Sequence, residues 1–363
     1  MDILLLSDPL INDYGPTRPV LLLGGELSKE HRVVVASPKI SYEILQTIES
    51  KGMIPIDLGA KFHFKEGSKI WLETCLRETI WKSNSKKLMS SCNITEFKII
   101  SFTRIFDIPA DIAYGQGVVD APLKAMRRDA PFYRKVILDL IAPLTRYTDR
   151  KLVDLLNSTK IVIANSKFCL DLYEEMGIEV NDVIYPPLDC EKYKPSTSNP
   201  ASDYVLSYAG KETQFSLLKE IADLGIKIKL FGSKASHLPK FVKEHPSIEN
   251  LGFVTEEELI SLYTNAFYTL FPFNLEFFGY IPVESMACGT PVLTYAYQGP
   301  SETVKDNVTG WLAKDEDEIV RVAKKLKSDG YLGDIRNMCR RHGLNFDVKH
   351  IANKWIPYVE GIK

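Results

Sequence analysis

"FYTLFPFNLEFFGYIPVESMACGTPVLTY", residues 267–295, carries two apolar runs, FYTLFPF and TPVLTY, separated by a loop and room for one short helix. Pro282 suits the first turn of that helix and Gly289 its end, so residues 282–288 are predicted helical. Two buried strands joined through a helix are the repeating unit of a parallel sheet covered on both faces.

The same alternation extends in both directions. DILLLS, HRVVVAS, FKIISF and KIVIAN in the first half, and YVLSYAG and IKIKLFG in the second, are predicted as buried strands. SLLKEIADLG and TEEELISLYTNA are predicted as helices between them. Right-handed crossovers then make each half a doubly wound α/β unit. A break rich in Pro, Ser and Asn, YPPLDCEKYKPSTSNPAS, begins at Tyr185 and ends at Ser202. The expected organisation is a Rossmann-like domain over 1–185, a linker over 186–202 and a second Rossmann-like domain over 203–344. The last stretch, 345–363, is expected to form an amphipathic helix, with Phe346, Ile351, Trp355 and Ile356 on one stripe that packs into a core. In such folds ligands gather at the carboxyl ends of the strands, so the two domains are expected to face each other across a cleft.

Composition narrows the class. The 363 residues are 45% hydrophobic and 25% charged, the balance of a globular protein, with room for two cores. A net charge of −2 gives no electrostatic case for a nucleic-acid partner. The six cysteines are scattered without a C-x-x-C pair, which argues against zinc and disulfides and makes the cytoplasm the expected location. MDILLLSDP is expected to be a first strand rather than a signal peptide. No run approaches the roughly 18 apolar residues of a membrane span.

Glu276 and Glu284 stand eight positions apart around a Phe-Gly pair. A carboxylate can accept hydrogen bonds from the vicinal hydroxyls of a sugar or a ribose. Gly279, without a side chain, lets backbone N–H groups at the helix start approach phosphate oxygens. An acid in a helical first turn is also favoured by the dipole alone, so neither glutamate is decisive singly.

Residues 276–292 resemble the signature of retaining GT-B glycosyltransferases of family four, in which two glutamates flank Phe-Gly and the second opens E-A-M-A-x-G-x-P-V. Ser285 replaces the usual alanine. IVIANSKFCLDLYEEMGI with VIYPPLDCEKYKP, IENLGFVTEEELISLYTNA, and GPSETVKDNVTGWL resemble other segments of the family in the expected order. The resemblance implies that Glu276 holds hydroxyls of the donor sugar and Glu284 the ribose of its nucleotide. It further implies a donor site lined by Gly15, Gly210, Lys211, Phe278, Gly279, Tyr280 and Gly299, and a final helix, 345–363, that packs back on the first domain. Lys211 would neutralise the diphosphate; the family's second cation is missing here.

Gln116 stands where many relatives carry histidine. It can bond a sugar hydroxyl but is no base near neutral pH. Glu276, Lys211 and Gln116 are therefore the candidate catalytic set. No cofactor or metal is expected, since no D-x-D is read at a strand end. The basic stretch around Arg127, Arg128, Arg134 and Lys135, interleaved with apolar residues, suggests an acceptor or membrane contact. The expected function is transfer of a sugar from a nucleoside-diphosphate sugar to a glycan or lipid-linked acceptor. A hydrolase or epimerase, or a weakly active sugar-nucleotide binder, are the alternatives.

Overall fold

The computed structural model describes residues 1–11, 15–64, 70, 73–74, 77–129, 132–210, 212–232, 238–273, 275–331 and 334–362. The chain forms two compact units. The first comprises Met1–Asp120, Val136–Pro187 and Val348–Lys363, the second Ala121–Lys135 and Leu188–Asp347.

Among the described residues, the first unit holds seven parallel strands: β1 (Asp2–Leu6), β2 (Arg32–Ser37), β3 (Ile54–Asp57), β4 (Lys98–Ser101), β5 (Ile112–Gly115), β6 (Ile161–Ala164) and β7 (Asp182–Val183). Their order is β3-β2-β1-β4-β5-β6-β7. The chain winds outward from β1 to β3, then returns to lay β4 beside β1, pairing Leu4 with Ile99. Alternate side chains of β1 enter two separate cores, as a strand's period of two requires. Ile3 and Leu5 pack with Trp355 and Tyr358 on one face, Leu4 and Leu6 with Trp81 and Phe106 on the other. Trp355 comes from the helix Val348–Val359 and lies 5.3 Å from the Tyr114 ring and 5.8 Å from that of Phe102, centroid to centroid.

The second unit repeats the scheme with six described strands: β8 (Val205–Tyr208), β9 (Ile228–Phe231), β10 (Ile248–Gly252), β11 (Thr269–Phe271), β12 (Val292–Tyr295) and β13 (Gly310–Ala313). The order β10-β9-β8-β11-β12-β13 reverses between β8 and β11. The stretch 267–295 thus supplies β11 and β12, with Thr269 opposite both Leu206 and Val292. Helix Glu256–Asn265 opens with a capping box: Thr255 accepts from the Glu258 amide, and Glu258 accepts from that of Thr255. Leu188–Ser202 groups with the second unit; Leu188 N–H donates to Phe346 C=O and Ser202 N–H to Asn265 C=O.

The helix expected over 282–288 starts two residues earlier, as Tyr280–Ala287. Gly279, at φ +85°, turns the chain sharply, so Tyr280 and Ile281 are already helical. Pro282 then occupies the third position, where its missing N–H costs no intrahelical bond. Glu284 consequently lies in the second turn rather than the first.

Candidate functional site

The site grows from two loops at the carboxyl ends of β11 and β12. Phe273 stacks on Phe271 at 4.1 Å, and the chain then runs through Glu276 to Gly279. Residues 296–300 cross beside it. Gln298 is the tie between them, although only 4% exposed and left-handed at φ +67°. Its Nε2 donates to the Phe273 carbonyl at 3.0 Å, and its Oε1 accepts from the Glu276 amide at 2.8 Å. Gly299 N–H donates to the Glu276 carbonyl at 3.0 Å. The crossing is close enough that a Cβ on Gly299 would sit 2.0 Å from the Phe277 carbonyl oxygen. A Cβ on Gly279 would meet Pro300 Cγ at 2.9 Å and Glu276 Cγ at 3.3 Å. Phe278 is buried edge-on to Tyr280, ring centroids 5.3 Å apart. Glu276, Phe278, Gly279, Tyr280 and Gly299 are therefore brought together.

Glu284 is buried in helix Tyr280–Ala287, and Tyr263 Oη donates to its Oε2 at 2.7 Å. The end of that helix is pinned by Arg340, whose Nη1 donates to the Ala287 and Tyr193 carbonyls at 2.9 and 2.8 Å. Gly210 follows β8 and donates to Thr213 Oγ1 at 2.8 Å, and a Cβ on it would strike the Tyr208 ring at 2.7 Å. Burial raises the Tyr208 hydroxyl, and Glu212, Glu276 and Glu284 raise it further, so all three carboxyls act on one phenol at the switch point. Lys211 lies outside the described residues.

Burial, then the charge of Glu212, push the half-buried Glu276 carboxyl up to about 7. The backbone amides of Phe278, Phe277 and Gly279 pull the other way. Near neutral pH it exchanges between an acceptor-only carboxylate and an acid that can donate. Glu212 carries no motif, and the tying role of Gln298 has no signal beyond its place in the loop, so neither is legible in the sequence. Asp315–Glu316–Asp317, a D-x-D in sequence, begins one residue beyond β13. Asp315 caps helix Glu316–Asp329, accepting from the Glu318 amide at 2.8 Å.

Gln116 and Gly15 belong to the first unit. Gln116 Nε2 donates to the Pro16 carbonyl at 3.2 Å and that of Phe102 at 3.1 Å. These bonds tie the turn containing Gly15 to the residue after β4. Gln116 lines a cavity of about 70 Å³ with Asp8, Arg104 and Tyr173. Of the basic stretch, Arg127 is exposed on helix Asp120–Asp129 and Lys135 half-buried on helix Phe132–Asn157; the side chains of Arg128 and Arg134 lie outside those described.

Residues 201–345 match the family model described as glycosyl transferases group 1. The D-inositol 3-phosphate glycosyltransferase of Salinispora arenicola is 34% identical over 95 residues, 25% of this chain and 21% of that protein. That of Mycolicibacterium smegmatis is 25% identical over 159 residues, 38% of this chain and 37% of its own. The chain therefore spans well under half the length of these relatives. Among solved structures, sucrose-phosphate synthase of Thermosynechococcus elongatus has a TM-score of 0.77 at 16% identity, covering 99% of this chain and 98% of that one. The Anabaena protein Alr3699/HepE, solved with UDP and glucose, has a TM-score of 0.72 at 17% identity, covering 99% and 100%. The fold is GT-B, as expected.

Proposed function

With residues 201–345 belonging to the glycosyl transferases group 1, we propose that this chain moves a sugar from a nucleoside-diphosphate sugar to a glycan or lipid-linked acceptor, with retention at the anomeric carbon. The observation that carries this is the convergence of Glu276, the Gly279 turn and the Tyr280–Ala287 helix tip at the β8/β11 switch point. Glu276 accepts hydroxyls of the sugar, and Glu284, oriented by Tyr263, the ribose. The helix tip and Lys211 meet the charge that develops on the leaving diphosphate.

In front-face transfer the acceptor oxygen bonds the anomeric carbon as the bond to the phosphate oxygen breaks. The acceptor's proton passes to that departing oxygen, so no side-chain base is needed, which suits the engaged Gln116. No metal is called for in this scheme. The Anabaena neighbour's UDP and glucose make UDP-glucose the first donor to try. Action at the cytoplasmic face of a membrane fits a lipid-linked acceptor. Among the described residues no helix is long and apolar enough to cross one.

The test is a thermal-shift panel of nucleotides and nucleotide sugars, followed by product analysis of the best binder. A true donor at a hundredfold excess over its Kd stabilises by about 2.7 kcal/mol. Glu284→Gln should cut that shift while preserving the fold. An unchanged shift refutes the ribose assignment, free sugar as the product supports a hydrolase, and an isomerised donor an epimerase.

A further inference from the structure

The middle of helix Phe132–Asn157 is amphipathic in the inverted sense. Its inward side there is polar, with Thr145, Thr148 and Asp149 buried, before Leu152 and Leu156 enter the core one turn further on. The Asp149 carboxylate accepts from the Val119 and Asp120 amides at 2.9 and 2.8 Å and from Arg104 Nη1 at 3.0 Å. Thr145 Oγ1 donates to Asp120 Oδ1 at 3.0 Å. Its outward side is apolar. Val136, Ile137, Leu140, Leu144 and Tyr147 are all exposed, Leu140 by 75% and Ile137 by 53%. At 3.6 residues per turn these five fall within an arc of about 100° and extend about 16 Å. A helix that buries threonine and aspartate in its middle while offering leucine to water there is not the usual solvated face.

Cations flank the stripe. Arg146 and Arg150 are exposed, and Lys151 holds its ammonium 5.7 Å from the Tyr147 ring centre. From 135 to 157, Lys135 and these three stand against two exposed acids, Asp139 and Asp154. Arg146 keeps a loose ion pair with Asp120 at 3.9 Å, and an apolar protein surface would cover the stripe while offering no anion to Arg150 or Lys151. An anionic lipid surface meets both, with apolar side chains at the acyl boundary and cations among headgroups.

We propose that the outward face of helix Phe132–Asn157 docks on a bilayer bearing anionic phospholipids. The proposal goes beyond the transfer reaction, and its test needs neither donor nor acceptor, so either can fail alone. The full chain is sedimented with vesicles of phosphatidylcholine alone and with vesicles containing phosphatidylglycerol. It should pellet with the anionic vesicles, less so as salt rises. Leu140→Glu with Ile137→Glu should weaken that partition about tenfold or more without moving the melting temperature, since both positions are exposed. Arg150→Glu should remove part of the salt-sensitive binding. Failure to pellet, or equal pelleting of the double variant, overturns the proposal. So does sedimentation as a dimer that the double variant converts to monomer, because the stripe would then be a contact between copies.

Discussion

Glu276 is poised by its surroundings rather than by its own chemistry. Its carboxyl, ordinarily at 4.5, is raised to about 7, chiefly by burial and next by Glu212. The folded chain therefore keeps a proton between these values that the unfolded chain has released. Stability must fall as pH rises through that window, and the full cost is present above about 7. Discounted for partial exposure, the cost is about 2 kcal/mol. Glu276→Gln should thus raise stability to urea by roughly that amount at pH 8 and leave it nearly unchanged at pH 4. If the carboxylate grips the donor, the activity of the parent should climb as pH rises through about 7, a limb the variant lacks. A variant less stable at pH 8, or one keeping the limb, would show that Glu276 does not titrate there. The two glutamates were legible in sequence because their spacing repeats a known signature. Glu212 was not, because its effect arises through space.

At the scale of elements, long apolar runs gave themselves away: Ile3–Leu6 are wholly buried, and so is β12. β7, two residues long, and β3, half-exposed with a proline, lack the density of apolar residues that marks a strand. The helix start at Tyr280 was misplaced because proline was given the first position when it takes the third. Position-specific backbone ties are equally hidden, and Gln298 is the case in point. It joins the loops after β11 and β12 through two hydrogen bonds from a strained backbone. Gln298→Leu would leave the Phe273 carbonyl and the Glu276 amide unpaired, at a cost of about 2–4 kcal/mol. Urea denaturation should show the loss, and donor affinity should drop with it as Glu276 loosens. A variant as stable as the parent, with unaltered donor binding, would mean the tie is incidental.

For the whole molecule, the division into two doubly wound units follows from the alternation of strand and helix alone. Residues 348–363 group with the first unit, a return expected from the family resemblance rather than from that alternation, whereas the grouping of 121–135 with the second unit has no signal in the sequence. Trp355 is 1% exposed in the core of the first unit, against Phe102 and Tyr114. Trp355→Ala should cost about 3–5 kcal/mol and lower the melting of the first unit more than that of the second. Calorimetry resolving two transitions decides it; equal shifts in both would mean the units melt as one.

Helix Val348–Val359 also constrains the order in which the protein can be made. Its core partners Ile3, Leu5 and Tyr114 leave the ribosome early, whereas the helix emerges only after the entire second unit. The nascent first unit must wait through that interval with one side of its sheet bare, a sticky surface suited to a chaperone. A slow codon run before residue 348 should therefore lower the soluble yield more than the same run placed after it.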